Sequence, residues 1–294
     1  MSVLLARMVG IIITLCYFQL SFAQTSKGVL FLVPGTYHTP GQNAFSDTIT
    51  QTLKEKGYDV YSISSVQPFK EFEPNGLRLL DEAQSWYLKK YPEKKTPIIF
   101  LAHSAGGFYA LHAISQNPSL PIRKLIFLST PLNGSELADY LEENYQSLKP
   151  LLKKLGLSGL FELTTSQIRS FLARTKISSS VEVYSVGGSQ PKPETLKEYR
   201  DARYLSLICT LASDKIPRES DGMVSFESAL GTQAIIPSQD GGEIYIHRIT
   251  DNKADLDHFK QGMDYKKFSG VINASYIRDE QKRFYSTLLD EVDP

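Results

Sequence analysis

Pro97-Ile98-Ile99-Phe100-Leu101-Ala102-His103-Ser104-Ala105-Gly106-Gly107 is the stretch on which the fold turns. An apolar run of β-branched and aromatic residues stops at a small residue, and a serine follows with two small residues behind it. Phe108-Tyr109-Ala110-Leu111-His112-Ala113-Ile114 then continues at helical spacing. The pattern predicts a strand, a sharp turn and a helix, with Ser104 at the apex. The reason is steric. A serine on a strained turn holds its hydroxyl clear of the sheet only if its neighbours carry almost no side chain, and Ala102, Ala105 and Gly106 supply that room. The start of the next helix aims backbone N–H groups at the space beside the hydroxyl, where a developing negative charge would sit. The bland alternative is a strand-to-helix turn whose serine only caps the helix.

Working outward, Gly28–Val33 is an unbroken apolar run, the mark of a strand buried on both faces. It ends in a loop of turn formers, Pro34-Gly35-Thr36-Tyr37-His38-Thr39-Pro40-Gly41. Phe45, Ile49 and Leu53 predict a helix ending near Gly57, followed by a strand over Asp59–Ser64. Leu77, Leu80, Ala83, Trp86 and Tyr87 mark a second helix that stops before Pro92. Beyond the Ser104 helix, strands are expected at Lys124–Ser129, at Val181–Val186 before Gly187-Gly188, and at Glu243–Ile249. An amphipathic helix should close the chain from about Arg278 to Glu291. Strands alternating with helices predict an α/β fold, with a mostly parallel, doubly wound sheet of about six strands. The leucine-rich segment at about 136–176 is too long for one crossover helix. Breaks at Pro150, Gly156 and Gly159 suggest several short helices forming a cap over the sheet edge that bears Ser104, with a greasy inner face. An extra layer that only packs the core is the competing reading.

Composition bounds the rest. The chain has 294 residues, 41% hydrophobic, and a formal net charge of zero, so nothing in it points to a nucleic-acid partner. Arg7, the apolar run Val9–Phe18, and Ser21 and Ala23 before Gln24 have the layout of a cleavable leader, residues 1–23. The expectation is one domain over 24–294 in a secreted or periplasmic protein. Removal of the leader, with Cys16 in it, would leave Cys209 as the one cysteine, in an apolar run and unable to form an internal disulfide.

A serine hydroxyl is a weak nucleophile and needs a base, which in turn needs an orienting acid. Of the five histidines, His112 falls inside a helix and His247 inside a strand, while His103 should diverge from Ser104 on so tight a turn. His38 lies in the loop after the first strand, close enough to contact a ligand together with Tyr37. His258, in a loop after the last strand and on the Ser104 side of the sheet, is the favoured base. The acid should come from between the last two strands, where Asp201, Asp214, Asp221 and Asp240 stand. Asp221 is the choice because Gly222 after it permits a sharp turn, with Asp214 next. The backbone N–H groups of Ala105 and Thr36 are the best candidates for an oxyanion hole, with Tyr37 behind Thr36.

Three segments carry a resemblance: Val33-Pro34-Gly35-Thr36, Ala102-His103-Ser104-Ala105-Gly106, and Ser220-Asp221-Gly222-Met223-Val224 with Glu227-Ser228-Ala229. With Thr130–Ser135 they resemble the α/β-hydrolase superfamily, and within it the bacterial secreted lipases and esterases. Ala102 replaces the usual first glycine of the serine motif, and Pro34 stands where many relatives have histidine. The resemblance implies hydrolysis of carboxylic esters through an acyl-enzyme on Ser104, Asp221 and His258. The substrate would be a small-molecule or lipid ester, with no metal or organic cofactor. The cap would touch a lipid surface transiently, and no obligate protein partner is expected. Acyl transfer, thioester cleavage with the same residues, and ligand binding without catalysis are the alternatives. If the leader is cleaved, protein recovered outside the cytoplasm should begin at Gln24 on amino-terminal sequencing; a chain still beginning at Met1 would refute it.

Overall fold

The computed structural model describes residues 26–36, 44–144, 146–154, 158–189, 217, 219–262 and 274–294. The expected leader, Tyr37, His38, Asp201, Asp214 and the Cys209 run lie outside them. The elements in chain order are β1 (Gly28–Val33), α1 (Asp47–Glu55), β2 (Tyr58–Ser62), α2 (Phe72–Lys90), β3 (Ile98–His103), α3 (Gly106–Gln116) and β4 (Ile122–Leu128). After β4 come α4 (Glu136–Asn144), α5 (Lys149–Lys154) and α6 (Thr165–Arg174), with 3-10 turns at Gln146–Leu148 and Ser158–Leu163. The chain ends with β5 (Glu182–Gly188), α7 (Phe226–Leu230), β6 (Ile236–Pro237), β7 (Glu243–Ile244), β8 (Ile246–Ala254) and α8 (Ala274–Val292).

Six strands form one sheet in the order β2-β1-β3-β4-β5-β8, and every adjacent pair is parallel. The period of two in β1 decides its layers. Val29, Phe31 and Val33 pack in one apolar core with Phe72, Leu79, Ala83 and Tyr87 of α2 and Phe108 to Leu111 of α3. Leu30 and Leu32 face the opposite core, with Ile49 and Leu53 of α1 and Phe284, Leu288 and Leu289 of α8. Burial on both faces is why β1 and β3 read as continuous apolar runs rather than alternating ones. Because every pair is parallel, the carboxyl ends of all six strands lie at one rim.

The last strand differs from its expectation. Glu243–Ile244 pairs antiparallel with Ile236–Pro237, and the chain joins the main sheet only at Ile246, continuing to Ala254. Thr250 to Lys253 are too polar to read as strand, but β8 is an edge strand with one exposed side. Gly187 and Gly188, expected to end β5, continue it across a register shift against β8. The closing helix begins at Ala274, about a turn earlier than its amphipathic pattern suggested, with Ile277 buried. Pro150 falls in the first turn of α5, where its missing N–H costs no hydrogen bond, rather than at a break.

The rim opposite the site is tied down by charge. Buried Lys124 of β4 donates to the Val292 carbonyl at 2.6 Å and to Glu182 of β5 at 2.9 Å. Asp293 accepts from Arg123 at 2.5 Å and from the Tyr58 hydroxyl, and stands 3.6 Å from Lys124. This clamp fixes the end of α8 against three strands. The substitution Asp293→Ala should lower unfolding stability by about 2 kcal/mol, since it removes one of the two carboxylates beside the buried Lys124 ammonium and the acceptor of Arg123 and Tyr58. Urea denaturation checks it, and an unchanged midpoint would mean that the clamp contributes nothing.

Candidate active site

Ser104 has φ of 56°, in the left-handed region that L-residues rarely adopt. It is kept there by its surroundings. Its N–H donates to the Leu128 carbonyl at 2.9 Å, and its carbonyl accepts from the Thr130 hydroxyl at 2.8 Å and the Gly107 N–H at 3.1 Å. The loop after β1 presses on the turn from above. A Cβ on Gly35 would stand 2.6 Å from the Ser104 Cβ, and one on Gly106 would stand 2.6 Å from the Pro34 carbonyl oxygen. Two glycines thus set the approach of two loops, and the hydroxyl is left facing the rim.

His258 and Asp221 meet it there. The His258 Nε2 lies 2.9 Å from Ser104 Oγ, and Nδ1 lies 2.8 Å from Asp221 Oδ2. The two loops are also tied by backbone, with the His258 N–H donating to the Asp221 carbonyl at 2.9 Å. Asp221 is 1% exposed. Gly222, at φ of 91°, lets the chain turn back so that the Met223 and Val224 N–H groups donate to Asp221 Oδ1 at 3.1 and 2.8 Å. Burial pushes the Asp221 carboxyl upward, but the His258 ring and those amide donors outweigh it and hold it below the usual carboxylate range. The carboxylate is therefore charged, and it orients the imidazole.

The other candidates fall elsewhere. Asp240 is exposed and binds Ser179, which itself lies beyond the end of α6. His247 is exposed on β8, stacked on Tyr184, and His112 is half-buried on α3, against which Gly76 packs. Thr36 lines the space in front of Ser104, and Ala105 opens α3 behind it. Among the described residues no cluster of three or more side chains could hold a metal.

No family model matches the chain. Triacylglycerol lipase 2 of Saccharomyces cerevisiae is 29% identical over 146 residues, 48% of this chain and 44% of the yeast protein. The match therefore spans less than half of that relative's length. Among solved structures, the mature lipase BlEst2 of Bacillus licheniformis superposes with a TM-score of 0.53 at 21% identity, over 80% of this chain and 86% of that one. The metagenomic carboxyl esterase MGS0156 gives 0.62 at 18% identity, over 92% and 76%. Lipase 1 of Pelosinus fermentans gives 0.57 at 14%, over 90% and 99%. This is the α/β-hydrolase fold.

On this α/β-hydrolase scaffold the segment between β4 and β5 reaches the serine. A cavity enclosing about 580 Å³, its open mouth included, is lined by Ser104, His258 and Thr36 on one side and by Leu137, Leu141 and Leu160 on the other. The expected cap is thus a wall of this pocket. Met223 and Val224, whose amides hold Asp221, also line it. Sequence reading missed that double use, because only the fold sets α4 beside the 221–224 turn.

His103 lines a small pocket together with Ser104 and His258. Its ring packs on His258, with ring centres 4.6 Å apart, and its Nε2 has no hydrogen-bond partner among the described residues. Burial, then the nearby His258 ring, push it down to about 3. A histidine kept neutral in the folded state takes up its proton only on unfolding. Its contribution to stability is thus full above about pH 6.5 and is lost as the pH falls toward the folded value. His103→Gln should flatten the acid side of the stability curve by on the order of 1 kcal/mol per pH unit below about pH 6.5. Urea titrations at several acid pH values read this directly, and parallel curves for the two proteins would refute it.

Proposed function

We propose that this chain is a serine hydrolase of carboxylic esters, acting through an acyl-enzyme on Ser104. The observation that carries the reading is the unbroken hydrogen-bonded line Ser104–His258–Asp221, opening into a pocket walled by leucines. In the first step His258 Nε2 takes the proton as Ser104 Oγ attacks the ester carbonyl. Asp221 holds the imidazole in the tautomer that leaves Nε2 free to accept and stabilises the imidazolium that forms. The N–H groups of Ala105 and Thr36 donate to the tetrahedral oxyanion. His258 then gives its proton to the leaving alcohol oxygen as the C–O bond breaks. Water repeats the sequence on the acyl-enzyme and releases the acid.

The leucine wall argues for an apolar acyl group. Leu137, Leu141, Leu160 and Leu163 offer no polar side chain to a substrate, whereas Thr36 and Ser135 add polar groups to the same lining. The similarity to proteins named lipase and carboxyl esterase supports the same reaction class. Action outside the cytoplasm belongs to the same reading.

A p-nitrophenyl ester series of rising acyl length tests it. Turnover should improve from acetate to a medium chain as the pocket fills, and a fluorophosphonate should label Ser104. Ser104→Ala should lose both, with kcat down by about 10⁴-fold or more. No turnover on any ester together with no labelling would leave a binding protein on a hydrolase scaffold, and the proposal would fall.

A further inference from the structure

We infer that Gln261 is a positioning residue for Asp221: its carboxamide holds Oδ2 toward His258 and moderates the charge that the imidazole meets. The inference rests on the role proposed above for Ser104, His258 and Asp221.

Gln261 is fully buried, three residues beyond His258 in the same turn. Its Nε2 lies 3.2 Å from Asp221 Oδ2 and 3.2 Å from the Leu256 carbonyl, and its Oε1 accepts from the Ser129 hydroxyl at 2.7 Å. The neighbours fix which end of the amide faces the aspartate. The Leu256 carbonyl can only accept, so the group between it and Asp221 must be the NH₂. Ser129 Oγ already accepts the Gly188 N–H at 3.2 Å, which frees its proton for Oε1. The amide cannot flip without setting like against like on both sides.

The surroundings are shaped around this side chain. Ser129, at the end of β4, has φ of 47°, a strained value for a serine, and from there its hydroxyl reaches Gln261. A Cβ on Gly188 would stand 2.0 Å from Gln261 Nε2, so β5 carries a glycine where the amide passes. The turn is fixed from behind as well. The Tyr285 hydroxyl donates to the Gln261 carbonyl at 2.7 Å, Gln281 Nε2 donates to the Lys260 carbonyl at 2.7 Å, and the Ser46 N–H donates to the Gly262 carbonyl at 3.0 Å.

The consequence lies in how Asp221 is satisfied. Oδ1 takes two backbone amides, and Oδ2 is shared between His258 and Gln261. Without Gln261, Oδ2 would be fixed by the imidazole alone. The carboxylate could then swing, and it would attract the imidazolium more strongly, retarding return of the proton to the leaving group. The ionisable groups around His258 are Asp221 and His103; Asp257 and Lys260, on its own turn, form an ion pair at 3.0 Å.

The test compares wild type, Gln261→Met and Gln261→Glu as full-length proteins on p-nitrophenyl butyrate, with kcat, KM and fluorophosphonate labelling followed across pH. Methionine keeps the shape and removes the donor. Its kcat should fall about tenfold with little change in KM, and the acidic limb of kcat/KM should move up by about half a pH unit. In Gln261→Glu the new carboxyl faces Asp221 and the Leu256 carbonyl, which keep it protonated and donating. It should stay near wild type at acid pH and lose rate on the alkaline side, where it ionises. An active, labelled wild type with an unmoved Gln261→Met profile overturns the positioning role alone, whatever the melting temperature does. Should Gln261→Met not fold, a Gln261→Glu profile identical to wild type overturns it. A wild type that is neither active nor labelled overturns this role and the site's proposed chemistry together.

Discussion

A serine held at positive φ between two strand ends is the constraint on which the rim is built. That conformation costs of the order of 1–3 kcal/mol on its own, and it persists because the surroundings leave no alternative. The Leu128 carbonyl takes its N–H, Thr130 takes its carbonyl, and Gly35 brings the β1 loop down onto it. The strain has a geometric product. The hydroxyl leaves the plane of the sheet and stands where loops from β5 and β8 can reach it.

The second half of the arrangement is a charge kept where charge is expensive. Asp221 is almost sealed from water, and a bare carboxylate there would protonate. Four donors prevent that, two from its own turn, one from His258 and one from Gln261. The sheet's other end shows the same logic in reverse, with buried Lys124 stabilised by Glu182, Asp293 and a helix-end carbonyl. Both rims thus use a buried ion to lock a late segment of the chain onto early strands. At one rim this closes the fold, and at the other it builds the site. Between them the two apolar cores supply the bulk of the folding energy, through burial on both faces of the parallel strands.

Local pattern was informative wherever one residue type had one steric use. The run into Ser104 with its small neighbours, the apolar β1 and the serine–aspartate–histidine order could all be read directly. It was least informative where an element depends on a neighbour. The far half of β8 is polar, and only Ala254 at its end returns to register with β5, across from Gly188. Gly187 and Gly188 look like a strand end and are instead a clearance for Phe226 and Gln261. His103 could be excluded as a base from its place in the turn, but its packing against His258 required that β8 return to the same rim.

The amino-acid order by itself determined the alternation of strands and helices, the two-faced burial of the sheet, and a serine that must stand clear of it, because these follow from spacings of a few residues. Tertiary structure alone decided that Gln261 reaches the aspartate, that leucines of α4 and the following turn line the pocket at the serine, and that His103 is sealed with no partner for Nε2 among the described residues. Those contacts join segments far apart in the chain, and no local periodicity encodes which loops will share a rim.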